Sequence, residues 1–243
     1  MPATASSHEP YELYYWPSIP GRGELVRLAL EDSDTPYVDV AREPHGMAAL
    51  QKLLRGGAAP RPFAPPFLKY GELVLAQTAA ILYWLGPRVG LVGSSEAERA
   101  HAHQHQLTIA DLIDEAHDVH HPIASSLYYD DQKPEAARRA ADFVKERLPK
   151  YFAYFEDALV ANGGGRLVGS AISYADLSLV HLHEGLTYAF PNAMDRLVSR
   201  IPHVCALADT VRARSRLAAY LASPRRLPFD ERGIFRHYPE LDP

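Results

Sequence analysis

The spacing of hydrophobic positions changes about one third of the way along this chain. Up to residue 91, short apolar runs typical of strands occur at residues 13–16, 37–40, 67–68 and 73–75. Helical spacing separates these runs at residues 24–30 and 47–54 and follows them at 76–84, and a Pro/Gly/Ala loop is predicted at 56–62. The order βαβ and then ββα predicts a small four-stranded mixed sheet covered by helices.

The rest of the chain has the pattern of helices alone. Apolar residues recur at helical spacing over residues 96–126, 134–161, 173–188 and 203–221. Residues 90–95 are predicted to be a linker, and an irregular aromatic tail follows Pro224. We therefore expect one domain over residues 10–90, a helical domain over 96–222, and a tail over 223–243 that lies on the surface of the protein.

Composition narrows the class of protein. The 243 residues are 47% hydrophobic and 23% charged, as in ordinary globular proteins, and the net charge of −5 argues weakly against a nucleic-acid partner. A single cysteine, Cys205, excludes an internal disulfide framework and fits a reducing compartment. The first ten residues lack the features of a secretory signal, and no apolar run approaches the roughly 18 residues of a spanning helix. We expect a cytoplasmic protein with no membrane partner.

The most specific candidate site lies where the first strand ends. Tyr15 is followed by a Pro/Gly loop that leads into a helix near Gly21, and the start of a helix favours a nearby anion. A cis bond between Pro65 and Pro66 would turn the Pro65 backbone outward to pair with an extended peptide, whereas a trans bond would give a rigid loop without a ligand. Gln77 and Thr78 open the third helix, where they form either a carboxylate-binding corner or only a cap.

Other polar patterns are interpreted as structural. Two histidine groups include pairs at i,i+4 spacing, but no carboxylate motif accompanies them, so no metal site is expected. The glycines at 163–165 predict a turn, and Cys205 is interpreted as a small buried residue. Ser173 and Asp176 have the spacing of a capping box, with a role in folding.

Several of these motifs, in this order, resemble the glutathione-binding domain of cytosolic glutathione transferases. They are Tyr15-Trp16-Pro17, the loop ending Gly21-Arg22-Gly23, the helix reaching Arg27, Pro65-Pro66-Phe67-Leu68, and Gln77-Thr78-Ala79-Ala80-Ile81-Leu82. The capping box resembles the one in the second domain of that family, and the similarity is closest to the tyrosine-type classes (mu, pi, alpha and sigma). It extends over residues 10–222. The resemblance implies a thioredoxin-like α/β N-terminal domain, an all-α C-terminal domain and a homodimer.

The resemblance also implies a role for each residue of the candidate site. Tyr15 resembles the hydroxyl that hydrogen-bonds the glutathione sulfur. Pro66 resembles the cis-proline, so the Pro65 backbone would pair with the cysteinyl part of glutathione. Gln77 and Thr78 resemble the pair that holds the γ-glutamyl end.

Further residues resemble the surroundings of this core. Asp111 resembles the acid that reaches across the dimer to the γ-glutamyl amine, and Asp114 competes for that role. Trp16 is included among the glutathione-binding residues. Lys52 is favoured for the glycyl carboxylate, with Gln51 and Arg42 as the other candidates.

The resemblance implies an electrophile pocket beside the sulfur, and its predicted lining residues are Ile19, Pro20, His117, His121, Tyr128 and Phe235. The loop after Tyr15 is one residue longer than the tyrosine-type pattern, so Ser18 is a rival activating hydroxyl, and Tyr14 is a second rival if the register differs by one.

The expected function is a glutathione transferase that activates the cosubstrate thiol for attack on a small apolar electrophile, in detoxification, with no permanently bound cofactor. The alternative is a non-catalytic carrier of glutathione or hydrophobic ligands, or an interaction protein, on the same fold. A thiol-disulfide reductase is disfavoured because no cysteine lies near position 15 or 18.

Overall fold

The computed structural model describes residues 9–56 and 60–242. Part of the loop predicted at 56–62 therefore lies outside the described residues. Four strands belong to the first part of the chain: β1 Tyr11–Tyr14, β2 Tyr37–Asp39, β3 Phe67–Tyr70 and β4 Leu73–Ala76. Its helices are α1 Gly23–Asp32, α2 Gly46–Arg55 and α3 Thr78–Leu85. The second part is helical: α4 Glu96–His120, α5 Lys133–Asp142, α6 Leu148–Ala161, α7 Tyr174–Ala189, α8 Pro191–Asp195, α9 Pro202–Arg212 and α10 Ser215–Leu221.

The strands form one mixed sheet in the order β2-β1-β3-β4. Strand β1 is parallel to β2 and antiparallel to β3, and Tyr14 is paired with Phe67 in that register. The next position on each strand brings Tyr15 and Pro66 to the same edge of the sheet. A thioredoxin-like sheet domain followed by an all-helical domain is therefore confirmed as the fold class.

Three predicted helices have different limits in the structure. Helix α4 ends at His120 and not at 126, because Pro122 disfavours helical geometry at His121, which has φ −135° and ψ 52°. A π-helical turn at Phe143–Arg147 interrupts the stretch predicted at 134–161, just before Pro149, which has no amide hydrogen for the regular helix bond. The stretch predicted at 203–221 is two helices, since Arg214 between them is extended.

Buried ion pairs hold α1 between the sheet and the helical domain. Arg27 is fully buried, and its Nε donates to Asp39 at 2.7 Å while its NH1 donates to Glu24 at 3.2 Å. The Tyr220 hydroxyl, from α10, donates to the same Glu24 at 2.8 Å. Because a buried charge is costly unless it is paired, these contacts specify where α1 packs.

The capping box predicted at the start of α7 is confirmed. The Ser173 hydroxyl accepts the Asp176 amide at 3.4 Å, and the Asp176 carboxylate accepts the Ser173 amide at 2.7 Å. The same carboxylate also accepts the amide of Leu167 at 2.7 Å, so it joins the loop before α7 to the helix.

Within residues 9–56 and 60–242, none of the helices combines the length and the apolar composition needed to cross a bilayer. The described histidines, cysteine and carboxylates also contain no group of three or more arranged to hold a metal ion.

Candidate active site

Tyr15 lies just after β1, beneath the turn that starts α1. Its side chain is 3% exposed, and its hydroxyl oxygen accepts the backbone N–H of Arg22 at 3.0 Å. The turn can approach so closely because Gly21 and Gly23 have no side chain: a Cβ on Gly21 would lie 2.1 Å from the Tyr15 oxygen, and one on Gly23 would lie 2.4 Å from the ring. Gly21 also has φ +44°, in the left-handed region that favours glycine.

The Tyr15 phenol keeps its hydrogen at neutral pH. Burial raises its pKa above the ordinary value, and this effect outweighs the lowering by the Arg22 amide and by the charges of Arg22 and Arg27. A hydroxyl that accepts one N–H still has its own hydrogen to donate. Among the described residues no acceptor takes that hydrogen, so the group is an available donor at the positive end of α1.

The rival hydroxyls have different surroundings. Tyr14 donates to Glu12 at 2.6 Å and stacks on Phe67 with ring centroids 4.9 Å apart, so its hydroxyl is already used. Ser18 lies exposed in the turn after Pro17. Trp16, beside Tyr15, is 38% exposed. Tyr15 is therefore the buried and oriented hydroxyl of the loop, and Ser18 is the solvent-exposed one.

The start of α3 has two unusual features. Gln77 has φ +69°, a conformation that costs energy for a residue other than glycine and that is often found at functional sites. Thr78 is 8% exposed, and its hydroxyl oxygen is buried without a hydrogen-bond partner. Since an unpaired buried hydroxyl is unfavourable, these two residues form a polar corner suited to a ligand. The Pro65–Pro66 bond is cis, as predicted.

A cleft of ≈ 320 Å³ opens between this corner and α4. Its lining includes Gln77, Thr78, Arg22, Asp114 and Gln106. The Arg22 guanidinium forms an ion pair with Asp114, so Asp114 lies at the cleft, whereas Asp111 is exposed on α4 and does not line it.

Sequence reasoning missed Gln106. It is fully buried, and neither of its side-chain amide atoms has a partner among the described residues. A signal was present, because Gln106 lies on the buried stripe of Ala102, Ile109 and Ile113 at helical spacing.

The three candidates for a glycyl carboxylate differ in availability. Gln51 and Lys52 are exposed on α2. Arg42 is paired with Asp39 at 3.0 Å and donates to the Arg225 carbonyl at 2.6 Å. The Arg42 guanidinium is thus partly used within the protein, with its second terminal nitrogen buried and without a hydrogen-bond partner among the described residues, whereas Lys52 and Gln51 are exposed.

The residues predicted for an electrophile pocket do not all come together. Ile19 is half-buried, Pro20 is buried, and Tyr128 is 81% exposed. Phe235 is 3% exposed and packs in the core of the helical domain, where a Cβ on Gly185 would lie 2.3 Å from its ring. The Phe235 ring therefore fills a notch over α7, and its place in an electrophile pocket stays a prediction.

His117 and His121 do meet, and they lie with His120 of the same histidine group and with Arg236, which the sequence did not indicate. The His117 and His121 ring centroids are 5.0 Å apart, and the His120 ring is 5.1 Å from the first and 4.7 Å from the second. The charge of Arg236, in the tail, lowers the pKa of all three rings, in addition to the larger effect of burial. We call His117, His120, His121 and Arg236 the Arg236 cluster.

The fold and the site together define a class: proteins with a thioredoxin-like domain and a helical domain, in which a strand-end tyrosine meets the start of a helix. A family model for the C-terminal domain of glutathione S-transferases matches residues 117–224. The glutathione S-transferase P of Bos taurus is 30% identical over 226 residues, which cover 90% of this chain and 94% of that protein.

Two solved structures share the fold. The pi-class glutathione S-transferase of Onchocerca volvulus has a TM-score of 0.66 at 23% identity, over 86% of this chain and 91% of that one. Prostaglandin synthase D of Nilaparvata lugens has a TM-score of 0.70 at 23% identity, over 90% and 100% respectively. The chain belongs to the glutathione S-transferase family, and the predicted enzyme class, a glutathione transferase, is confirmed.

Proposed function

We propose that this chain binds glutathione at the edge of the sheet and that the Tyr15 hydroxyl donates to its sulfur. The observation that carries the proposal is the phenolic hydrogen left available when the Tyr15 oxygen accepts the Arg22 amide. A cysteine-like thiol has a pKa near 8.5, so only a few per cent is thiolate at neutral pH. A donor to the sulfur and the start of α1 both favour the charged form.

The corner at α3 is the proposed site of the γ-glutamyl end. The unpaired Thr78 hydroxyl and the amides at the start of α3 are suited to a carboxylate, and Gln77 adds a carboxamide. Opposite Tyr15, the backbone of Pro65 is the proposed partner of the cysteinyl part, while Lys52 or Gln51 binds the glycyl carboxylate and Trp16 covers the peptide. Asp111, from a second copy, is the proposed contact for the γ-glutamyl amine, with Asp114 as its competitor.

The reaction that follows is attack by the sulfur on a small electrophile. A thiol pKa lowered by about two units corresponds to roughly 2.7 kcal/mol and would make most of the bound thiol nucleophilic. We further propose that residues 10–90 bind glutathione, that residues 96–222 bind the electrophile, and that residues 223–243 are an irregular C-terminal tail. We also propose a cytoplasmic setting, which the lone Cys205 fits, and a role in detoxification.

A homodimer is proposed as well. Phe63 is 92% exposed, the most exposed of the large apolar side chains described, and an aromatic side chain left in water is unfavourable. A cavity of ≈ 260 Å³ is lined by Thr108, Arg147, Lys150, Tyr151 and Tyr154. Its size suits one aromatic ring, which its tyrosines and cations can both contact. In a symmetric dimer, Phe63 of each copy would insert into this cavity of the other.

The test is calorimetry with glutathione, followed by turnover of a nitro-activated aryl chloride. Binding with turnover supports the enzyme. Binding without turnover supports the carrier on the same fold, and no binding at all overturns the proposal.

A further inference from the structure

Arg236 is a cation without a carboxylate partner among the residues of the described chain. Its Nε donates to the Gly233 carbonyl at 2.8 Å, and none of the described ion pairs includes it. Both terminal nitrogens of the guanidinium therefore remain for another acceptor, and a guanidinium binds a carboxylate in a bidentate manner. Arg232, four residues earlier, is different, because it pairs with Asp230 at 2.5 Å.

Beside Arg236, His121 offers an N–H donor, and the rings of His117 and His121 add no positive or negative charge at neutral pH. The Gln132 carbonyl oxygen accepts the Ile123 amide at 2.9 Å, which orients its amide nitrogen to donate to His121 Nδ1 at 3.2 Å. The hydrogen of neutral His121 is then on Nε2, and that N–H is a donor. Burial lowers the pKa of His117 and of His121 below the ordinary value, so both rings are neutral at pH 7.

His120 has a structural role in the same cluster. Its Nε2 lies 2.8 Å from the Ile234 carbonyl, which can only accept, so this bond fastens the tail to the end of α4. Burial, with a further contribution from Arg236, lowers the pKa of His120 to about 3. The bond therefore holds Ile234, and with it Arg236, beside His117 and His121 across the neutral pH range.

Two carboxylates face the cluster from α4, and neither is paired with Arg236. Asp114 is bound to Arg22, and Asp118 lies 3.7 Å from His117 Nδ1 with its side chain 61% exposed. Arg22 connects the cluster to the candidate active site. Its amide donates to Tyr15, and its charge is the second largest effect, after burial, that lowers the pKa of His117. Asp114, His117 and His121 follow one another at helical spacing, so this face of α4 leads from Arg22 to Arg236.

We propose that Arg236, His117 and His121 form an anion-binding subsite that selects electrophiles carrying a carboxylate. This inference deepens the function proposed above and depends on it for the site of reaction. It also replaces the purely apolar electrophile expected from the sequence with a small anionic one, because the N–H donor of His121, at the end of α4, lies with the unpaired cation of Arg236 from the tail.

The reaction itself stays the same. For an aryl chloride activated by an ortho-nitro group, the sulfur bonds to the ring carbon, the carbon–chlorine bond breaks, and chloride leaves with the electron pair. The thiol proton goes to solvent. A carboxylate or ester para to the chlorine also changes the intrinsic rate of attack on the ring, so its effect reports recognition by the subsite only after division by the rate without enzyme.

The test compares the aryl chloride that carries the carboxylate with its methyl ester. The rate of each compound with enzyme is divided by its rate without enzyme. The wild-type protein should prefer the carboxylate, and Arg236→Met should reduce the preference about tenfold, the factor that corresponds to loss of one charge-assisted contact. Arg236→Lys should keep part of it. Arg232→Met is the matched control, since it removes one positive charge from the same tail and should leave the preference unchanged.

A second measurement separates this inference from the function on which it depends. Calorimetry with para-nitrobenzoate and its methyl ester needs no turnover, and binding of the carboxylate alone should weaken in Arg236→Met. Suppose that the aryl chloride ester is turned over but that the aryl chloride carboxylate is not preferred and para-nitrobenzoate is not bound through Arg236. The subsite is then wrong and the transferase stands. If neither aryl chloride is turned over but binding of para-nitrobenzoate still depends on Arg236, the proposed transferase reaction is wrong and the anion site stands. An equal loss in Arg232→Met would overturn the subsite, because the effect would then be one of net charge.

Discussion

Replacing Tyr15 by phenylalanine removes one hydroxyl and tests the central contact of the proposed site. The ring is 3% exposed beneath the glycine turn, and phenylalanine fills the same space. A hydrogen bond to a charged group contributes roughly 1.5–3 kcal/mol, which corresponds to roughly 1–2 pKa units of the bound thiol. With the bound thiol pKa starting about two units below 8.5, the thiolate fraction at pH 7, and with it kcat/KM, should therefore fall by about 3- to 25-fold.

The direction of the pH effect follows from the reactive form. The thiolate reacts, so activity is present above the thiol pKa and is lost as the pH falls through it. Losing the donor raises that pKa, so the rate profile of Tyr15→Phe should move to higher pH and recover in alkaline solution. The measurement is kcat/KM for an uncharged aryl chloride from about pH 6 to 9, with the ultraviolet absorbance of the bound thiolate as a second readout.

The same substitution has a structural cost that can be separated from the chemical one. The Arg22 amide loses its acceptor, so unfolding by urea should show a loss of about 1 kcal/mol. Glutathione affinity should change little, because the other proposed contacts remain. Tyr14→Phe and Ser18→Ala serve as controls and should keep the wild-type profile. A Tyr15→Phe profile that does not move would refute the reasoning, and a profile that moves only in Ser18→Ala would transfer the role to Ser18.

Local pattern was sufficient for the sheet and most helices. Short apolar runs and helical spacing predicted β1 to β4 and α1 to α3 to within a few residues. Both faces of the sheet are buried, Leu13 and Leu68 on one and Tyr14 and Phe67 on the other, so the strands are short continuous apolar runs. The end of α4 could have been predicted from Pro122. The break at Arg214 could not, because its guanidinium pairs at 2.5 Å with the buried Asp32 of α1, 182 residues away.

The site shows the same division. The loop around Tyr15 is formed by residues close together in the sequence, so Gly21 and Gly23 could be interpreted from the sequence as part of a tight turn. The Arg236 cluster depends on contacts between residues more than 100 positions apart, such as the bond of His120 to Ile234. An aromatic tail has no period to show which side chain turns inward, and the packing of Phe235 against Gly185 is seen only in the structure.

Three further substitutions test the corner at α3, the proposed dimer and the capping box of α7. Thr78→Val removes a buried hydroxyl that has no partner, so glutathione affinity should fall about fivefold in calorimetry while stability to urea holds or rises; an unchanged affinity would show that no ligand uses this hydroxyl. Phe63→Ser should convert the dimer to a monomer in analytical ultracentrifugation, whereas Val198→Ser, at a side chain 50% exposed, should not; a wild-type dimer in Phe63→Ser would mean that this ring is not an anchor. Asp176→Ala should lower the free energy of unfolding by about 2–4 kcal/mol, because the carboxylate is fully buried and its loss leaves the amides of Leu167 and Ser173 without their acceptor. Its effect on kcat/KM should be small when the folded fraction is matched, since α7 begins away from Tyr15, and a large loss of activity without a loss of stability would show that the box does more than hold the helix.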